Sequence, residues 1–191
     1  MKGITSENVA KKYNISRRAQ DEFAASSYQK AEKAQKEGYF NEEIYPLTVK
    51  YTDPKTGTES SVTVNRDDGV RPGTTVESLS KLKPAFSKDG STHAGNASQI
   101  SDGAAAVILA RRSVAEKYGL PIVGKFVSAS VVGVPPAIMG VGPAYAIPKL
   151  LTKAGLTIDD IDIFEINEAF ASQCLYSAQV HFFKVTLMER L

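Results

Sequence analysis

Residues 161–173 read IDIFEINEAFASQ. IDIFEI is predominantly apolar and predicts a strand of a buried sheet. The chain then passes through Glu165-Ile166-Asn167-Glu168 into AFASQCLYSAQ, which predicts a helix. Two carboxylates and an amide therefore fall at the end of a core strand, where burying them is expensive. In α/β sheets that end opens on the crevice where ligands bind, which makes Asn167 a candidate site residue. Local physics offers a plainer reading, in which Asn167 caps the helix and Glu168 complements its dipole. A sugar-cleaving acid/base pair of Glu165 and Glu168 is disfavoured, because such pairs come from elements that face each other.

Working outward, AAAVILA (104–110) is a continuous apolar run that predicts a strand covered on both faces. RRSVAEKYGLP (111–121) predicts a helix closed by Gly119, with Pro121 just beyond. PIVGKFVSASVVGV (121–134) predicts a second strand. GPAYAIPKLLTKAGL (142–156) predicts a helix with Pro143 in its first turn and Gly155 at its end. Pro148 falls inside that pattern and is expected to kink the helix or shift its start. With IDIFEI as third strand, the order argues for an α/β fold with helices layered on a sheet.

The first ninety residues are more polar. TSENVAKKY (5–13) predicts a short helix capped by Thr5 or Ser6. A long amphipathic helix follows, with Ser16 as N-cap, Gly38 just past its end, and Ala19, Phe23, Ala31 and Ala34 on or near its apolar face. EEIYPLTVKYTDPKTGTESSVTVN (42–65) predicts two surface strands around an Asp53–Gly57 turn. Thr74 and Glu77 have capping-box spacing for a short helix that Pro84 must end. From Arg71 to Lys88 the charges Arg71, Lys81, Lys83 and Lys88 against Glu77 leave a modest cationic patch, read most simply as a solvated face.

Composition narrows the function class. A net charge of +2 over 191 residues does not argue for nucleic acid or a membrane as main partner. No run reaches the ~18 apolar residues that span a bilayer, and MKGITSENVAKK has no apolar core of a secretory signal. Cys174 is the single cysteine, so no intramolecular disulfide is possible and a reducing compartment is the default. His93 and His181 are the only histidines, too few for a histidine-built metal site, and no metal is expected. GVPPAIMGVGPA (133–144) lacks G-x-G-x-x-G and sets prolines where amides would cradle phosphate, so a nucleotide-loop reading fails.

Five segments share one order and spacing: GITSENVA (3–10), LKPAF (82–86), AGNASQISDGAAAV (94–107), PPAIMGVGPAYAIP (135–148) and NEAFA (167–171). Together they resemble the thiolase family, nearest to the peroxisomal type of 3-ketoacyl-CoA thiolase. The resemblance covers about residues 3–178 and matches only a middle portion of a thiolase. It implies a thiolase-like layered α/β fold, incomplete, with an inserted loop domain. On that pattern residues 1–92 are the coenzyme A-gripping loop region and 93–121 the end of the N-terminal half. Residues 122–178 are then the start of the C-terminal half, and 179–191 a divergent tail.

Members of the family cleave a 3-ketoacyl-CoA with free CoA in fatty acid β-oxidation, through a cysteine thiolate that takes the acyl group and oxyanions held by fixed donors. The resemblance makes Asn167 the holder of an oxyanion-hole water, Ala169 a wall of the acyl pocket, and Glu168 a structural residue that fixes the turn. Arg71 would face the nucleotide end of CoA, and Ser78, Ala85, Phe86 and Ser98 the pantetheine arm. Met139 would lie beneath the acyl group. Simpler roles stay open: loop packing for Phe86, a turn for Ser98, core filling for Met139. Acyl-CoA is then the substrate, no cofactor is permanently bound, and the full-length family assembles into homo-oligomers. The compartment implied is the peroxisome, with mitochondrion or cytoplasm as alternatives.

Departures from the family matter as much. Its nucleophilic cysteine precedes the GITSENVA segment, and its G-H-P histidine and C-x-G-x-G cysteine follow NEAF. The chain is therefore expected to be a truncated form, inactive by itself, or alternatively a non-catalytic CoA-binding or subunit-interaction module. Cys174 is read as a small buried apolar residue. His93 stands where the family usually has threonine and is read as a surface or loop histidine, and His181 is not the missing catalytic one. Unpaired strand edges and the tail VHFFKVTLMERL (180–191) predict poor solubility.

Overall fold

The computed structural model describes residues 2–181. Helix α1 (Lys2–Lys12) begins before the expected cap, so Thr5 and Ser6 lie inside it. It ends where Asn14 takes a left-handed conformation (φ 55°), with the Ile15 amide bonded back to Ala10. Helix α2 (Arg17–Lys36) starts as expected, with the Ser16 hydroxyl accepting the Ala19 amide, and closes at Gly38 with φ 75°. Its inner face follows the expected one in part: Ala19 and Phe23 pack against Ala10, Ile15 and Leu175, while the most buried residues are Gln20, Asp21, Ala24 and Ala25, two of them polar.

Strands β1 (Leu47–Thr52) and β2 (Glu59–Val64) form an antiparallel hairpin with Leu47 opposite Val64 and Val49 opposite Val62. The expected turn forms because Asp53 Oδ1 accepts the Lys55 amide at 2.7 Å and Gly57 supplies φ 69°. Helix α3 (Val76–Ser80) has a capping box one residue later than its sequence spacing suggests. Thr75 and Ser78 exchange the bonds, because Ser78 at the third helical position reaches the cap amide as Glu77 cannot. Helix α4 (Arg112–Lys117) ends at Gly119 (φ 62°) as expected.

A 3₁₀ turn (Pro136–Val141) leads into α5 (Gly142–Ala154), and Gly155 ends α5 with φ 69°. Pro148 lies within α5 without ending it. Its missing amide frees the carbonyl of Ala144 four residues earlier, and His181 Nε2 lies 3.0 Å from that oxygen. A short 3₁₀ turn spans Ile158–Asp160, and helix α6 covers Ala171–His181.

The core is helical. Val9 of α1 packs on Ile138 and Val141, while Ala10 and Ile15 pack on Leu175 of α6. Ala24 and Ala25 of α2 meet Leu79 of α3. Tyr13 and Tyr176 stack with centroids 3.7 Å apart, locking the α1–α2 turn onto α6. No helix among the described residues is long and apolar enough to cross a membrane.

The three apolar runs expected as buried strands form no strand: 104–110, 121–134 and 161–166 carry no regular secondary structure, apart from isolated turns and bends. Ile108 is 91% exposed and Val123 101%. A buried strand needs a ladder partner on each side, and the described residues bring none to these runs. Glu165, Asn167 and Glu168 are accordingly all exposed and meet no burial penalty. The tail 182–191 lies outside the described residues.

Candidate active site

The site is built from the bottom of α1 and α2 upward. Glu7 of α1 reaches across to the segment that precedes AGNAS. Its carboxylate accepts the Ser91 amide at 2.9 Å and the Thr92 amide at 2.8 Å, together with the Ser91 hydroxyl at 3.1 Å. Thr92 is fully buried, and the Ser6 hydroxyl lies 2.7 Å from its Oγ1 and 2.8 Å from Ser172 Oγ on α6.

His93, expected as a surface or loop histidine, lies in a loop but is only 1% exposed. Its Nε2 lies 2.7 Å from Asp21 Oδ1 of α2, and its Nδ1 accepts the Gly95 amide at 3.0 Å. Burial pushes the imidazole below its ordinary value, opposed by the bond to Asp21. The surface reading fails because a buried carboxylate and a backbone amide satisfy both ring nitrogens, which removes the cost of taking the ring out of water. Asn96 completes the turn: its Oδ1 accepts the His93 amide, and its Nδ2 donates to Asp21 Oδ1 and to the Ser91 carbonyl.

From this anchor the AGNAS segment runs beside the segment that follows Asn167. The Ala171 amide donates to the Asn96 carbonyl and the Ser98 amide to the Ala169 carbonyl, each at 3.0 Å, with Ala97 bridged to Phe170. Helix α6 begins only at Ala171, so Asn167 lies ahead of it and does not serve as its cap. The Asn167 carbonyl is held instead by Gln173 Nε2 at 3.0 Å, and Gln173 packs so closely on Gly140 that a Cβ there would stand 2.8 Å from its own. The loop after Met139 and the Asn167 turn are therefore braced by one side chain. Glu168 accepts the Ser27 hydroxyl at 2.6 Å, which ties the same turn to α2.

A cleft of about 910 Å³ opens between α2, the 66–71 loop, residues 94–102 and Glu168. Of the expected site residues, Arg71 and Ser98 line it, and Asn167, Ala169, Ser78, Ala85, Phe86 and Met139 do not. Arg71 lies exposed, with Nη1 donating to the carbonyls of Asp68 and Val70. Ser78 spends its hydroxyl inside the α3 cap, because it lies at the third helical position. Ala85 donates its amide to the Thr92 carbonyl, and the Phe86 ring lies against Gly3, where a Cβ would overlap it. Met139 is 50% exposed, so core filling does not describe it. Ala169 is half-buried beside Ser98.

Cys174 is buried, and burial, then the Glu168 charge, pushes its thiol up to about 12. It is no nucleophile near neutral pH. Among the described residues no three His, Cys, Asp or Glu side chains gather as a metal site. Sequence reasoning missed Glu7, Asp21 and Asn96. The Arg17–Asp21 spacing was the one available signal, but it looks like any exposed i, i+4 pair.

Two family models match in tandem: the thiolase N-terminal domain over residues 1–113 and the thiolase C-terminal domain over 120–187. The chain belongs to the thiolase family. It is 65% identical over 177 residues to the peroxisomal 3-ketoacyl-CoA thiolase of Yarrowia lipolytica and 64% identical to that of Homo sapiens. Those matches cover 93% of this chain and 42% of each relative, so the chain spans about two fifths of their length. The dimeric peroxisomal thiolase of Saccharomyces cerevisiae superposes with a TM-score of 0.87 at 55% identity, covering 97% of this chain and 44% of that one. Human mitochondrial 3-ketoacyl-CoA thiolase superposes with a TM-score of 0.84 at 42% identity, covering 93% of this chain and 44% of that one. The backbone thus follows the thiolase α/β path in part, including runs that form no strand here.

Proposed function

We propose that these residues form the CoA-gripping and acyl-pocket part of a 3-ketoacyl-CoA thiolase that works in fatty acid β-oxidation in the peroxisome. The observation that carries the reading is the bond from the Ser98 amide to the Ala169 carbonyl, which sets the AGNAS segment beside NEAFA. On this reading Arg71 meets the phosphates of CoA with a planar cation, while Ser98, Ala85 and Phe86 border the pantetheine arm. Ser78 contributes a rim position through its capped turn. Ala169 leaves room for the acyl group, and Met139, half-exposed, lies beneath it as a flexible apolar floor. Asn167 presents a neutral, exposed carboxamide. It orients a water toward the thioester oxygen without changing charge during turnover.

The acyl-transferring thiolate is not Cys174, whose thiol is buried and held protonated. The buried thiol favours a second reading for the 191 residues alone, a module that binds CoA without turning it over. The dimeric yeast relative supports a homo-oligomer for the full-length enzyme.

Calorimetry separates these readings. CoA and acetyl-CoA should bind the chain, with affinity weakened about tenfold by Arg71→Ala or Ser98→Ala, the loss of one charged or well-placed hydrogen bond. Absence of binding, or binding indifferent to both substitutions, overturns the assignment. Acetoacetyl-CoA thiolysis by the pure chain overturns the binding-only reading.

A further inference from the structure

The segment that carries Ser98 reaches its place through His93. Gly95 N–H points at Nδ1 (3.0 Å), so that nitrogen carries a lone pair. The proton of the neutral ring then sits on Nε2 and is donated to Asp21 Oδ1 at 2.7 Å. Asp21 Oδ2 accepts Arg17 Nε at 2.7 Å, and Arg17 Nη2 donates to the carbonyls of Leu79 and Leu82. The charges that bear on the ring come from Asp21 and Arg17 of α2. The α3 side contributes apolar Leu79 and Leu82, packed beside Gly95 and the ring edge. From α1, Glu7 is committed to the amides of Ser91 and Thr92, next to His93 in the chain.

A second proton on this ring can only go to Nδ1. Two donors, Nδ1–H and Gly95 N–H, would then face each other, and one must move. Asn96 moves with either, since its Oδ1 holds the His93 amide and its carbonyl holds Ala171. Two residues on, Ser98 is bonded to Ala169.

We propose that His93 is a positioning residue for acyl-CoA. Its neutral Nε2–H form clamps residues 93–98 to α2, and protonation at Nδ1 loosens Ser98 and Ala169, so that acyl-CoA affinity falls on acidification. This rests on the acyl-CoA reading of the AGNAS and NEAFA segments. Acyl-CoA is its own titrating ligand, so the informative quantity is a difference between wild type and variant.

The experiment uses the 191-residue chain, ¹⁵N-labelled, with CoA as the probe. At about pH 7.5 the imidazole ¹⁵N shifts should report the Nε2–H tautomer. The ratio of CoA dissociation constants between about pH 5.5 and about pH 7.5 should be about fivefold larger for wild type than for His93→Thr or His93→Gln. A merely structural role would weaken the variants equally at both pH values and leave that ratio unchanged, which overturns the proposal, as does an Nδ1–H tautomer. If the wild-type chain binds no CoA, the proposed function fails and the clamp is judged separately. Exchange of the Ser98 amide, corrected for its intrinsic rate, should accelerate on acidification, and no change overturns the clamp. The tautomer and the exchange are read on wild type, so a variant that does not fold leaves both decisive.

Discussion

The hydroxyl of Ser6 lies 2.8 Å from that of Ser172, 166 residues further along the chain. Both are buried, and the Thr92 hydroxyl joins them. Three residues of types that usually mark turns and caps here bind α1, α6 and the approach to AGNAS into one small polar knot. Ser6→Ala should cost about 1–3 kcal/mol, because it leaves the buried Thr92 hydroxyl without its partner. Thr92→Val combined with it should show a coupling of about 1 kcal/mol in a double-mutant cycle by urea unfolding. Additive effects would mean that the Ser6–Thr92 contact contributes nothing of its own.

Stability should depend on pH through His93. The folded ring holds its proton less tightly than the ordinary value of 6.5, and the unfolded ring titrates at that value. The unfolded chain therefore binds more protons just below 6.5, and stability is full above that pH and declines beneath it. Urea midpoints should fall from about pH 7.5 to about pH 5.5, and His93→Gln should flatten that part of the slope. An unchanged slope in the variant removes His93 as its source.

Gly3 exists to admit Phe86. A Cβ at position 3 would overlap the ring, which is 41% exposed and free to swing outward. Gly3→Ala should therefore cost at most about 1 kcal/mol of stability, the helix preference for alanine offsetting the displacement. CoA affinity should drop about fivefold if Phe86 borders pantetheine, a small contact-scale loss. Equal CoA affinity in Gly3→Ala and wild type would remove Phe86 from the binding surface.

Cys174 should resist modification. Its thiol is buried and pushed up to about 12, so a thiol reagent near neutral pH should react only as the chain unfolds. Reaction followed across a urea gradient should track the loss of helical circular dichroism. Cys174→Ala, which removes only a small buried sulfur, should cost on the order of 1 kcal/mol. Rapid labelling of the native chain is the contrary result.

Local rules carried most of the turns and helix ends well. The Ser16 cap, the Gly38, Gly119 and Gly155 stops, and the Asp53 turn follow from neighbours within a few residues, and all form. The capping box slipped by one residue because two adjacent threonines offer the same chemistry. The strands failed for a different reason. AAAVILA and IDIFEI have strand composition, but a ladder is a property of two segments, and no described residue pairs with them.

By itself, the order of five short segments determined the family, and through it the residues expected to meet acyl-CoA. Tertiary structure alone decided which side chains hold those segments in place. Burial of Asp21, His93, Asn96 and Thr92 arises from elements whose side-chain bonds to these residues span up to 86 residues of chain. A side chain's cost or benefit depends on what surrounds it, and neither composition nor periodicity records whether a distant carboxylate will be 2.7 Å from a ring nitrogen.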